Sequence, residues 1–166
     1  MDRKVVPLLV GLVVLVLINL AFTSYIALKK QPDPSTANAA VDDSVVSEAK
    51  AASLAKQLIT LFNASDVPGV YAMFDDLAKA QISQDQLNEQ VAKLHSVLGS
   101  IGTFAFDRAE LAGTDAGRTF YNINYKVALT GGPFPHGTLK ITVVRRGEEL
   151  RLVGFFLNGT DSSLNR

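Results

Sequence analysis

The stretch Phe120-Tyr121-Asn122-Ile123-Asn124-Tyr125-Lys126-Val127-Ala128-Leu129 decides the fold. Tyr121, Ile123, Tyr125, Val127 and Leu129 take every second place, and Phe120, Asn122, Asn124 and Lys126 fall between them. A period of two puts one set on each face of a strand, so this segment is a strand with one apolar and one largely polar face. Leu139, Ile141 and Val143 repeat the pattern downstream, and residues 103–111 read as a strand upstream. Arg146-Gly147-Glu148 makes a short turn between residues 138–145 and 149–158, giving a terminal hairpin. Leu150 to Leu157 is almost wholly apolar, which predicts a central place in the sheet.

Before Gly102 the period is that of a helix. Val46, Ala49, Leu54, Leu58, Leu61 and Phe62 recur at spacings near three and four, marking a helix over about 45–63. Asp66-Val67-Pro68 is a second helix start, with an acid at the cap and proline in the first turn. Ser83 with Gln86 is a third, of capping-box type. That helix carries Leu87, Val91, Leu94 and Leu98 and stops at Gly99. The expected class is segregated α+β: three helices packed on a four-stranded curved antiparallel sheet, spanning residues 45–158, with a disordered tail at 159–166.

The chain has 166 residues, and its apolar residues are unevenly spread. From Val5 to Leu28 no residue is charged and 19 of the 24 are hydrophobic. A helix of that length reaches roughly 36 Å, enough to cross a hydrocarbon core of about 30 Å. Residues 1–30 therefore read as a transmembrane signal-anchor held by the lipid bilayer, in preference to a cleaved signal peptide, whose apolar run is shorter. Arg3 and Lys4 on one side balance Lys29 and Lys30 on the other, so the positive-inside count does not set the orientation. Asn19, a strongly polar side chain in mid-span, has two readings: an interhelical hydrogen bond to a partner or second copy, or a tolerated amide. Residues 31–44, with Pro32, Pro34 and no aromatic side chain, read as a flexible linker.

Absence of cysteine excludes disulfides, thiol nucleophiles and thiolate-held metal clusters. Balanced charge speaks against a nucleic-acid partner. Residues 31–166 hold 12 basic and 15 acidic side chains, a net charge of −3, which weakens attraction to anionic lipid. Arg118, Lys140, Arg145, Arg146 and Arg151 nonetheless form a candidate basic strip, whose ordinary reading is a solvated surface.

With two histidines, no catalytic motif and no ligand cluster, neither a cofactor nor a metal is expected. His95 reads as a surface histidine near a helix end, where the dipole favours it. A ligand pocket between sheet and helices would draw on Tyr121, Tyr125 and Asp107, the last sharing parity with Ala105 and Ala109. The simpler reading of the tyrosines is as core aromatics whose hydroxyls reach the rim. In Gly131-Gly132-Pro133-Phe134-Pro135-His136-Gly137, Phe134 stands between two prolines and is either a rigid contact tip for a partner or a cap on the sheet.

The opening amphipathic helix, the phrase Asp66-Val67-Pro68-Gly69-Val70-Tyr71-Ala72-Met73-Phe74 and the closing hairpin to Phe155 together resemble the nuclear transport factor 2-like superfamily of cone-shaped α+β domains. That superfamily holds enzymes as well as transport and assembly modules, so the likeness implies a fold without an activity. Its membrane-anchored members include the bitopic scaffold subunit of type IV secretion systems and actinobacterial membrane proteins associated with lipid import. The resemblance implies a single-pass protein of a bacterial cell membrane. Its C-terminal domain would be extracytoplasmic and bind a protein partner or itself, with a tethered ligand carrier or enzyme as the alternative.

Overall fold

A computed structural model describes residues 46–160 of the chain. Ser47 caps the first helix, α1 (Glu48–Asn63), its hydroxyl accepting from the Lys50 amide at 3.4 Å. The buried stripe of α1 is Ala51, Ala55, Leu58, Ile59 and Phe62. Ala49 is exposed and Leu54 only half-buried, so the stripe is rotated from the one the leucines trace. Val46 lies ahead of the helix, and the small Ala51 and Ala55 let α1 approach its neighbours closely.

The second helix, α2 (Val67–Met73), starts as its sequence requires: the Asp66 carboxylate accepts from the Gly69 amide at 3.0 Å and Pro68 stands in the first turn. A Cβ at position 69 would lie 2.5 Å from that carboxylate and 2.7 Å from the Leu61 side chain, so a larger residue there would displace both. Phe74 then turns extended, and a third helix, α3 (Asp76–Lys79), follows. Among the described residues there are thus four helices where three were expected. The last, α4 (Gln84–Leu98), opens on the full capping box, with Ser83 and Gln86 exchanging bonds of 3.2 and 2.9 Å. It ends at Gly99, whose φ of +73° brings its Cα against the Thr130 carbonyl, where a Cβ would collide.

The four strands β1 (Gly99–Asp115), β2 (Arg118–Gly131), β3 (His136–Arg146) and β4 (Glu149–Thr160) form one antiparallel meander in chain order. Tyr121, Ile123, Tyr125, Val127 and Leu129 are all buried on the inner face, beside Leu139, Ile141 and Val143 of β3. They pack in one core with Leu58, Phe62, Val70, Leu87 and Val91 of the helices. Burying each such aliphatic side chain contributes roughly 1.5–3 kcal/mol against chain entropy. Three register shifts in the β1–β2 ladder and one at Thr142/Val143 bend the strands locally.

β4 lies at the sheet edge, not centrally as its apolar run suggested. Near Leu152 its free side is met by the segment between α2 and α3: Phe74 bridges Leu152, and the Asp75 amide donates to the Leu152 carbonyl at 2.6 Å. An edge strand partly covered in this way carries the composition of an inner one. Gly159 and Thr160 continue β4 opposite Gly137 and His136, so the strand runs two residues into the segment expected as tail. Among the described residues no helix is long and apolar enough to cross a membrane. The anchor and linker segments and Asn19 lie outside the described residues.

Candidate functional site

Tyr125 sits at the middle of β2 with no exposed surface. The rings of Phe104 and Phe106 on β1 meet it edge-on, with centroids at 5.7 and 5.9 Å. Its hydroxyl is buried and has no hydrogen-bond partner among the described residues. Burial, aided by the charge of Glu48, pushes its pKa up from 10.0 to about 12. At ordinary pH the group is a neutral phenol able to donate one hydrogen bond, and it is no base. Tyr121 is 7% exposed, four residues before it on the same face. The hydroxyl of Tyr125 therefore stays inside and does not reach the rim.

Asp107 does not join the tyrosines. Phe106 pairs with Tyr125 and Arg108 with Asn124, which leaves Asp107 as the extra residue of a β-bulge. It is exposed, with ion pairs to Arg108 at 2.7 Å and Lys126 at 3.5 Å. Simple alternation fails here because the bulge resets the parity.

Phe134 folds back. It is half-buried against the core, and its ring lies over Gly159, where a Cβ would come within 2.6 Å of Cγ. The loop is drawn in by the Leu129 amide, which donates to the Pro135 carbonyl at 3.0 Å. Phe134 thus packs on this end of the sheet with part of its ring still exposed.

His95, expected at the surface, is tied into the helical layer. Its ring stacks on Phe62 with centroids 4.2 Å apart, and Nε2 lies 2.7 Å from the Phe62 carbonyl. A carbonyl only accepts, so Nε2 carries the proton, and it adds a second donor to a carbonyl at the end of α1 that also accepts from the Ser65 amide at 2.9 Å. Nothing in its sequence neighbours signals this, because Phe62 lies 33 residues away.

The basic strip is divided among separate partners. Arg118 pairs with Asp115 at 3.1 Å, Lys140 stands 6.0 Å above the Phe156 ring, and Arg151 reaches the Ala72 carbonyl at 3.4 Å. Arg146 clasps Asp75 with two bonds of 2.9 Å. Asp75 is 4% exposed and also accepts from the Leu77 amide. The Arg146 hydrogen bonds hold its carboxyl below the usual range against the opposing effect of burial, with help from the Leu77 amide. The pair therefore fastens the α2–α3 segment to β3, a contact that the chain positions alone did not reveal.

On the outer face, Thr103, Ala105, Lys126, His136, Thr138 and Thr160 border an open groove of about 600 Å³. Among the described residues no group of three or more histidine, cysteine or carboxylate side chains is placed to hold a metal ion.

The fold defines a class, an α+β domain with a four-stranded antiparallel sheet and four helices. No family model matches the chain, and no curated protein matches it. Among solved structures it is similar to Aln2 from a Streptomyces species, with 15% identity over 78% of this chain and 94% of that one and a TM-score of 0.46. It is also similar to a candidate aromatic ring hydroxylase from Novosphingobium aromaticivorans, with 11% identity over 68% and 92% and a TM-score of 0.40. Likeness at this level carries no activity to this chain.

Proposed function

We propose that this chain is a single-pass membrane protein whose nuclear transport factor 2-like domain, residues 45–158, acts outside the cytoplasm as a binding and assembly module of a bacterial envelope complex. The observation that carries this reading is the exposure of Phe106 and Leu111, 37% and 48%, on a strand whose neighbours are closely packed. The two side chains share one face of the edge strand, and a contiguous apolar patch of this kind supports a surface that a partner covers. The uncharged run Val5–Leu28 supports the tether.

The unpartnered Tyr125 hydroxyl favours a second reading, a tethered carrier or enzyme for a small apolar ligand with one hydrogen-bond acceptor. A reporter active only outside the cytoplasm, fused after Arg166, tests the tether. Activity is expected, and an inactive reporter alongside a working cytoplasmic fusion overturns the orientation.

A further inference from the structure

A strand at the edge of a sheet offers a row of unpaired amides and carbonyls to any chain that can align with it. Among the described residues β1 pairs with β2 alone. Its first turn of edge is sealed internally: the Asn63 side chain donates to the Ile101 carbonyl at 2.7 Å and accepts from the Ile101 amide at 2.9 Å, as a strand residue would. Further along, the register against β2 fixes the positions of five side chains. Phe106, Arg108, Ala109, Glu110 and Leu111 stand opposite Tyr125, Asn124, Ile123, Asn122 and Tyr121 in turn. Counted on β2, Phe106 and Leu111 each lie two places from Ala109, on the inner face. Arg108 and Glu110 each lie one place from it, on the outer face. The bulge at Asp107 creates this symmetry, because it returns Phe106 to the face of Leu111.

We propose that β1 pairs antiparallel with β1 of a second copy of this chain about a two-fold axis at Ala109, joining two sheets into one of eight strands. This rests on the reading of the domain as an assembly module and names its partner. About that axis Phe106 of each copy meets Leu111 of the other, covering the two exposed side chains. On the opposite face Arg108 of each copy meets Glu110 of the other. Moving the axis to Arg108 or to Glu110 would set like charges face to face, which destabilises a strand pair. Apolar and charged residues thus select the same axis independently. The interface is isologous and closes at two copies.

The chain has no cysteine, so one introduced thiol reports alone. Full-length Ala109→Cys in mild detergent, treated with a short bis-maleimide, is expected to give an adduct of twice the chain mass, and Lys93→Cys on α4 is not. In the Ala109→Cys background, Arg108→Glu and Glu110→Arg should each lower the yield about five- to tenfold. An equal mixture of these two variants should restore it, because unlike charges then meet across the axis while the pairing within each strand stays broken. Phe106 and Leu111 are exposed, so Leu111→Ser should reduce the adduct without lowering the melting temperature. An Ala109→Cys yield no greater than that of Lys93→Cys overturns the proposal, as does a yield indifferent to the charge reversals. An adduct with a different protein overturns the self-pairing and leaves the assembly reading standing. A lone monomer at every concentration overturns both.

Discussion

Replacing Tyr125 by Phe removes one oxygen atom that is buried without a partner among the described residues. A hydroxyl moved from water to such a place forfeits hydrogen bonds worth about 1–3 kcal/mol to the folded state. The small void left by the oxygen offsets part of this, so the variant should gain about 1 kcal/mol. In a domain of this size that raises the melting temperature by about 4 °C. The pH dependence sharpens the test. Burial, with Glu48, raises the Tyr125 pKa from 10.0 to about 12, so the unfolded chain ionises first as pH rises. The wild type should therefore lose stability between about pH 10 and 12, by up to about 2–3 kcal/mol from this group. Tyr125→Phe should lack that share. Thermal unfolding of the full chain and the variant in mild detergent, at neutral pH and through the alkaline range, measures both effects. A variant that melts lower than the wild type, with no difference in alkaline slope, would refute the reasoning and mean that the hydroxyl is satisfied.

Asp75→Ala should lower stability by about 2 kcal/mol, because a buried carboxylate with charge-assisted and backbone hydrogen bonds is lost. The lowered pKa of Asp75 means that its contribution is present above the ordinary carboxylate range and is lost as pH falls through the folded value. Acid unfolding of Asp75→Asn, followed by circular dichroism, should accordingly show a weaker acid limb than the wild type, and identical limbs would count against the pair. Phe134→Ala should cost about 1–2 kcal/mol, the discounted value for a half-buried ring. An unchanged melting temperature would return Phe134 to the role of contact tip. His95→Ala removes a stacked ring and the bond to the Phe62 carbonyl, and calorimetry should find a loss of about 1–2 kcal/mol.

The sheet was legible because alternation survives along β2 and β3, where no register shift occurs between the two strands. The helix starts at Asp66 and Ser83 were legible because capping is a local interaction. What escaped is non-local. α3 has four residues, and its cap Asp75 is placed by Leu152 and Arg146, far along the chain. The edge position of β4 was hidden because the Phe74–Asp75 segment meets it at Leu152 and makes it read as an inner strand. Asp107 was misplaced by a bulge, which leaves no mark in an alternating pattern. Phe134 finds its place only because Gly159, in another strand, lacks a side chain. The exposure of Phe106 and Leu111, which share the inner-face parity of the buried tyrosines opposite them, is likewise a property of the packed domain that spacing does not state.

The measurement that bears most directly on the assembly reading is native mass spectrometry of the full-length chain released from mild detergent. An assembly with more than one polypeptide, in which two copies of this chain are the smallest unit, is the result expected. A single chain carrying a small bound molecule would contradict it and give the ligand-carrier reading the leading role.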